Sequence, residues 1–420
     1  MLRQIEGSRA VAETVARCRP EVVCAYPISP QTHIIEAVGA MVKSGNLSPC
    51  EFINVESEFA AMSVSIGASA AGARAYTATA SQGLLFMMEA VYNASGLGLP
   101  IVMTLANRAI GGPINIWNDH SDAMAVRDSG WIQLFAETNQ EATDLHVQAF
   151  LIAERLSLPV MVCMDGFILT HAVEGIDVPE QAAVDAFLPP FEPRQVLDPD
   201  DPVSIGAMVG PEAFEEVRYL AYLRQLEALD LIPTVAADFA EQFGRPSGGL
   251  VRSYRAEDAD TVVVALGSVL GTIKDAVDAR RDAGERVGVV GITAFRPFPR
   301  QAVADALSGA QRVVVVEKAF SVGFGGVLST DVAMATHRSE SSLYTVVAGL
   351  GGRPISRRSL ETMLAAAAED QLELVTFLDL NTGVVEREQA RMAAAPTRPG
   401  PTAEFVLRDL ALHPSGEVGP

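Results

Sequence analysis

The sequence predicts an α/β protein built on doubly wound parallel sheets, in more than one domain. Short apolar runs of strand length alternate with longer stretches of helical spacing, the pattern of a parallel sheet covered by helices. Apolar residues make up 49% of the chain but aromatics only 6%, so the core is built from Ala, Val, Leu and Ile. That texture suits helices packed closely on a parallel sheet. The alternation occurs twice, on either side of a looser proline-rich stretch, and 420 residues are too many for one ordinary core.

In the first unit a helix covers 13–19, and the buried strand 22–26 is stopped by Pro27. Helical spacing over 32–42, a strand at 52–55 and a small-residue helix at 59–71 follow. Strands at 75–78, 99–105 and 158–164 alternate with helices at 84–95 and 143–156. From 173 to 252 the pattern loosens. Pro189, Pro190, Pro193, Pro199 and Pro202 mark a crossing segment with one helix near 214–229, and its many apolar residues imply that it covers the first domain. A second unit opens at Asp260, with strands at 261–266, 287–292, 312–317 and 344–347 and helices at 271–283 and 299–307. Past Gly383 the chain turns polar, with Pro396, Pro399 and Pro401. The expected domains are therefore 1–240, including the crossing segment, and 255–385, followed by an arm at 386–420.

Composition excludes several function classes. A net charge of −21, from 52 acidic and 31 basic residues, argues against a nucleic-acid-binding surface. Cys18, Cys24, Cys50 and Cys163 stand alone with no CxxC pair, so neither a structural zinc site nor a set of cluster ligands is encoded. No run approaches the roughly 18 apolar residues of a membrane helix, and residues 1–17 lack a signal-peptide core. A reducing cytoplasm is the expected setting.

The chemistry gathers at strand ends, where ligands of open α/β sheets bind. Four such edges are Tyr26-Pro27-Ile28-Ser29-Pro30, Glu56-Ser57-Glu58, Thr79-Ala80-Ser81-Gln82-Gly83-Leu84 and Asn107-Arg108. Glu58 precedes an Ala-rich helix, where the dipole stabilises a carboxylate; a plain first-turn charge explains it equally well. The forked donors of Arg108 suit a small carboxylate, against the alternative of a surface salt bridge. Ser81 has no GxSxG elbow around it. His33, His120, His146, His171, His337 and His413 show no metal-binding spacing and read as surface or packing residues. Asp119, His120 and Asp122 read as a polar loop, Asp165-Gly166 as a strand-end turn, and Gly323 to Gly326 as a packing turn.

In their order and spacing these motifs resemble the α subunits of the multi-subunit pyruvate:ferredoxin oxidoreductases (pyruvate synthases). These belong to the 2-oxoacid:ferredoxin oxidoreductases, thiamine diphosphate enzymes that oxidise 2-oxoacids with coenzyme A. The resemblance covers about 7–383 and includes Pro113-Ile114-Asn115-Ile116-Trp117-Asn118-Asp119-His120 and Leu158-Pro159-Val160-Met161-Val162. The run from Asn115 to His120, together with Ala78 to Gln82, is more similar to the pyruvate branch than to the 2-oxoglutarate branch. It implies a pyrimidine-type thiamine-diphosphate-binding domain at 1–240 and a transketolase C-terminal-like domain at 255–385. By the same resemblance Glu58 matches the glutamate that shares a proton with the aminopyrimidine ring, and Pro27 and Ile28 line the cofactor side of the pocket. Ser29 and Arg108 match the residues that hold the substrate carboxylate, with Ser29 standing where the family usually has threonine. The hydroxyl is kept and a methyl contact is lost.

No Gly-Asp-Gly motif occurs, so the chain lacks the family's means of holding Mg²⁺ and the diphosphate. The resemblance implies a β subunit that supplies this half and a [4Fe-4S] cluster, γ- and δ-type subunits for the remaining clusters, and ferredoxin as acceptor. The active site would lie where the α and β subunits meet. Two alternatives stand beside this reading: the same machinery for another small 2-oxoacid, and a non-catalytic assembly subunit.

Overall fold

The computed structural model describes residues 2–395 and 400–410; Pro396, Pro399 and His413 lie outside them. Two parallel-stranded sheets form the body. The strands are β1 (Leu2–Glu6), β2 (Val22–Cys24), β3 (Glu51–Ile53), β4 (Ala75–Thr79), β5 (Val102–Asn107), β6 (Ile132–Phe135), β7 (Val160–Asp165), β8 (Val173–Asp177), β9 (Val251–Tyr254), β10 (Thr261–Ala265), β11 (Val287–Ile292), β12 (Ala294–Arg296), β13 (Arg312–Glu317), β14 (Ser342–Val347) and β15 (Val375–Phe377). The larger sheet has the order β12-β6-β7-β5-β4-β2-β3, and the smaller β15-β14-β13-β10-β11-β9. Only the edge strands β12 and β9 run antiparallel to their neighbours. The α/β, doubly wound expectation holds.

Strand order fixes where a ligand can enter. After β2 the chain adds β3 on one side and then β4 on the other, so strand order reverses between β2 and β4. In the smaller sheet β11 lies on one side of β10 and β13 on the other, so the reversal falls between β10 and β13. Crevices open outside the carboxyl ends of strands at such points. An apolar core between the sheets runs from Met62, Leu84 and Met103 to Val264, Phe295 and Val315, and joins the two units. Trp131 is buried in this core and donates its indole N–H to Val91 O at 2.7 Å.

Four features differ from the sequence-based expectation. The helix expected at 214–229 runs from Phe214 to Phe243 and passes through Pro233. A proline in a helix interior costs about 3 kcal/mol. Burial of Ile232, Val235 and Phe239 against the core that includes Phe150 and Phe187 outweighs it. The helix expected at 84–95 begins earlier and is divided at Met87 into Ser81–Phe86 and Met88–Gly96. Strands β1, β6, β8, β9, β12 and β15 were not foreseen; each has three to five residues, and all but β6 lie on sheet edges or in the separate β1–β8 pair. The stretch after Gly383 holds most of the helix Thr382–Ala394 and the helix Thr402–Asp409. No described helix is long and apolar enough to cross a membrane.

Candidate active site

The carboxyl ends of β2, β3, β4 and β5 bring the four strand-end motifs to one edge of the larger sheet. Gln31 fastens the first of them. Its buried side chain donates from Nε2 to Ala78 O at 2.6 Å and to Tyr26 O at 3.3 Å, and accepts from Ile28 N at 3.3 Å. The Tyr26 to Pro30 turn is thereby pinned onto the end of β4, leaving Pro27 and Ser29 exposed and Ile28 half-buried.

Glu58 is the first residue of the helix Glu58–Ala70, and Ser57 is its cap, accepting from Ala60 N at 3.2 Å. The residue is only 8% exposed, yet no hydrogen bond or ion pair reaches its carboxylate from the described residues. Thr79 Oγ1 is likewise buried and unpartnered. Both groups converge on Gly83, where a Cβ would lie 2.5 Å from Thr79 Oγ1 and 2.8 Å from Glu58 Oε1. Glycine is required there by close approach. A buried acceptor left without a partner costs about 1–3 kcal/mol.

Arg108 is 6% exposed and tied down by two backbone carbonyls. Nη1 donates to Ser29 O at 2.9 Å and Nε to Asn115 O at 2.9 Å. The structure thus brings Ser29 and Arg108 together, through the serine backbone rather than its hydroxyl. Burial lowers the Arg108 pKa, and the Asp122 charge opposes that shift.

Asp122 organises the edge. Its buried carboxylate accepts from Ser81 N at 3.0 Å, Arg108 N at 2.9 Å, Asn107 Nδ2 at 2.9 Å and Ala123 N at 2.8 Å. It joins the end of β4 to the end of β5 and holds Ser81 in a left-handed conformation (φ 48°). Burial pushes its carboxyl up to about 6, against these hydrogen bonds. Expected to be part of a polar loop, Asp122 is instead the core of the site. The motif Asn107-Arg108 was the available signal, because a strand ending in two donors calls for a nearby acceptor.

A second buried cluster joins the two units. Asp165, at the end of β7, accepts from Lys318 Nζ at 3.0 Å and Ser268 N at 3.1 Å, lies 2.7 Å from His120 Nε2, and bonds the Ser268 hydroxyl. Lys318 Nζ also bonds Asn118 Oδ1, and Asn118 Nδ2 donates to Asn107 O at 3.2 Å. Burial by itself raises the Asp165 carboxyl; Lys318 and His120 outweigh it and hold it well below the usual carboxylate range. Asp165-Gly166 is the strand-end turn expected, and its carboxylate is in addition the centre of an ion cluster between the two units. Asp119 and Asn115 add bonds to the backbone of Gly351 at 3.0 and 3.1 Å.

The glycine run of the second unit is a packing turn, as expected. Glu317 accepts from Leu328 N at 2.8 Å, Val327 N at 2.6 Å and Ser329 N at 3.2 Å, so a carboxylate of the chain fills the N-terminus of Leu328–Ala335. His146 is a core residue between Thr104 Oγ1 at 2.5 Å and Ala142 O at 2.6 Å, and burial pushes it down to about 4. An apolar cleft of about 520 Å³ lies apart from the edge, between the helices Thr382–Ala394 and Thr402–Asp409.

Exposed apolar side chains surround the open edge. Tyr26, Phe59, Phe86, Ile116 and Trp117 all face solvent, and Ile114 is 82% exposed. An edge with unpartnered buried acceptors and an apolar surround is the form that ligand-binding α/β proteins take. Residues 13–233 match the family model described as pyruvate flavodoxin/ferredoxin oxidoreductase, thiamine diP-bdg. Residues 259–360 match the pyruvate:ferredoxin oxidoreductase core domain II. The chain belongs to the pyruvate:ferredoxin oxidoreductase family.

Pyruvate synthase subunit PorA of Methanosarcina barkeri is 48% identical over 367 residues, covering 86% of this chain and 91% of that protein. The PorA of Methanocaldococcus jannaschii is 46% identical over 380 residues, covering 89% and 97%. A ketoisovalerate oxidoreductase subunit VorA from Pyrococcus horikoshii is 38% identical over 374 residues, covering 88% and 94%. Among solved structures, the 2-oxoglutarate:ferredoxin oxidoreductase of Magnetococcus marinus shares the fold, with a TM-score of 0.68 at 18% identity. That match covers 87% of this chain, which spans 65% of the solved one.

Proposed function

We propose that the chain is the α subunit of a thiamine-diphosphate-dependent pyruvate:ferredoxin oxidoreductase. The reaction converts pyruvate and coenzyme A to acetyl-CoA and carbon dioxide, and passes two electrons to ferredoxin through partner subunits. The observation that carries the reading is the unpartnered Glu58 carboxylate facing the Gly83 gap beside the orphaned Thr79 hydroxyl. These residues fit the aminopyrimidine end of the cofactor: a carboxylate for a ring nitrogen, a hydroxyl for a polar edge, and no side chain at Gly83 to fill the space. Thiamine diphosphate, when bound, supplies the carbon that adds to the 2-oxo group and the electron sink for decarboxylation.

Glu58 then holds a proton at the ring nitrogen. Pro27 and Ile28 bound the cofactor side. Arg108, its guanidinium fixed on the carbonyls of Ser29 and Asn115, presents its remaining N–H donors to the substrate carboxylate, with the exposed Ser29 hydroxyl beside it. Asp122 positions Arg108 and the Ser81 turn against each other.

Mg²⁺ and the diphosphate fall to a β subunit that docks on the apolar residues around the edge and excludes water. That subunit and γ- and δ-type subunits carry the [4Fe-4S] clusters. A second reading, another small 2-oxoacid with the same machinery, is favoured by the exposed Ser29 and by the 38% identity to a ketoisovalerate oxidoreductase subunit.

The test is purification of the native assembly, followed by 2-oxoacid-dependent reduction of a viologen dye with coenzyme A and thiamine diphosphate. Pyruvate-driven reduction by a complex with a cluster-bearing partner supports the first reading. Preference for a branched 2-oxoacid supports the second. A chain that purifies alone, with no 2-oxoacid supporting reduction, rejects both in favour of an assembly role.

A further inference from the structure

Behind the Tyr26 to Pro30 turn, three chain segments bring two imidazoles and a carboxylate together. Glu6 ends β1, His33 lies in the first turn of the helix Thr32–Lys43, and His171 follows β7. One ligand atom from each lies within 4.8 Å of the others. His33 Nδ1 is 2.7 Å from Glu6 Oε1, and the two imidazole centroids are 4.6 Å apart.

The arrangement is braced from outside. His171 Nδ1 is 2.7 Å from the Thr170 hydroxyl, which also accepts from Phe167 N at 2.8 Å. In the tautomer with Nδ1–H donating to this hydroxyl, Nε2 keeps its lone pair for a ligand, the kind of second partner that orients metal-binding histidines. Ser8 N and Ser8 Oγ both donate to Thr170 O, at 2.9 and 2.7 Å, and Gly7 N donates to Ala172 O at 3.0 Å. The Glu6 and His171 backbones are thus fixed relative to each other by the start of the β1–β8 ladder.

We propose that Glu6, His33 and His171 form a binding site for a borderline divalent transition metal of the zinc class. The donor set, two imidazoles and one carboxylate, matches three-ligand zinc sites that keep a fourth position for water. Bonds of about 2.0–2.2 Å place tetrahedral donors about 3.3 Å apart, so binding opens the 2.7 Å contact between His33 and Glu6 by about half an ångström and closes separations of up to 4.8 Å by about 1.5 Å or less. The half-buried Glu6 and exposed His33 have room for that movement. Imidazole ligands favour Zn²⁺, Co²⁺, Ni²⁺ or Cu²⁺ over Mg²⁺. The bound ion clamps β1, the β7–β8 turn and the helix that continues from Ser29-Pro30. It shares no residue with the candidate active site and does not rest on the proposed function.

The experiment titrates the full chain, freed of metal by a chelator, with Zn²⁺ by calorimetry and with Co²⁺ by visible absorption. One equivalent should bind, with the strong absorption of four-coordinate cobalt. His33→Ala and His171→Ala should each weaken binding about 100-fold, and Glu6→Gln about 10-fold. His337→Ala, at an exposed site elsewhere, should leave it unchanged. Zinc should raise the thermal midpoint of the native chain and not that of His33→Ala. Because His33 is exposed, its variant carries the test even if His171→Ala misfolds. The proposal is overturned if no one-equivalent isotherm appears, or if it persists in the His33→Ala/His171→Ala double variant.

Discussion

Both parallel sheets reverse their strand order beside a central strand, and the two crevices so formed are filled in opposite ways. In the smaller sheet the ends of β10 and β13 present Ser268 and Lys318, and the Asp165 carboxylate of the other unit occupies the space between them. In the larger sheet the ends of β2, β3 and β4 surround Glu58 and Thr79, which no group of the described chain reaches. The same topology therefore yields a structural joint where the polar groups are satisfied internally, and the proposed ligand site where they are not. Saturation of hydrogen bonds, rather than the position of the crevice, separates them.

The largest effect should come from emptying the open crevice of its charge. Glu58→Gln keeps shape and removes the proton-holding carboxylate; kcat for 2-oxoacid-dependent dye reduction by the assembled enzyme should fall about 10³-fold. The thermal midpoint should change little, since no internal bond is lost. A variant with near-native turnover would remove Glu58 from the chemistry.

The closed crevice should answer in stability. Lys318→Met leaves Asp165 buried without its ammonium partner, and denaturant unfolding should show a loss of about 3–5 kcal/mol. A loss below 1 kcal/mol would mean that the joint does not hold the two units together.

Asp122 lies between the two cases, satisfied yet raised to about 6. A carboxyl raised above its unfolded value stabilises the fold while protonated, so its contribution is complete below about pH 4 and is lost as the pH rises through 6. The slope from this group reaches about 1.4 kcal/mol per pH unit. Asp122→Asn should remove that slope between pH 4 and 6. It should also lower kcat/KM about 10-fold or more, because the amide NH2 must face two donors, either Ser81 N and Arg108 N at the Oδ2 position or Asn107 Nδ2 and Ala123 N at the Oδ1 position. Asp165, held below the usual range, acts in the opposite sense: its contribution is present above about pH 4 and fades as the pH falls.

The smallest effect concerns specificity. Ser29→Thr adds one methyl at the edge of the pocket and should raise the kcat/KM preference for pyruvate over a branched 2-oxoacid by about 10-fold. An unchanged ratio would show that Ser29 does not bound the substrate.

The legible parts of the molecule were those whose physical cause is local. Strands β11 and β13 were read with their observed ends, because continuous Val-rich runs bounded by turns have few other solutions. Glu58 stood out because a carboxylate between a strand and an Ala-rich helix is a local pattern. Asp122, Asp165 and Lys318 were missed for the opposite reason. Their partners lie 41 residues away for the bond from Ser81 and 153 for the bond between Lys318 and Asp165, and no spacing rule connects them. The helix through Pro233 was cut short because local propensity penalises proline, while the compensating burial of Phe239 comes from a distant core.

The sequence by itself determined the fold class, the strand-end motifs and the lack of a Gly-Asp-Gly motif, because each follows from neighbouring residues and the backbone preferences they impose. Only the tertiary structure decided which carboxylates are satisfied. Asp165 and Glu317 find donors inside the chain, and Glu58 finds none among the described residues. That outcome depends on which distant groups are brought within about 3 Å, a property of strand order and packing that no local pattern encodes.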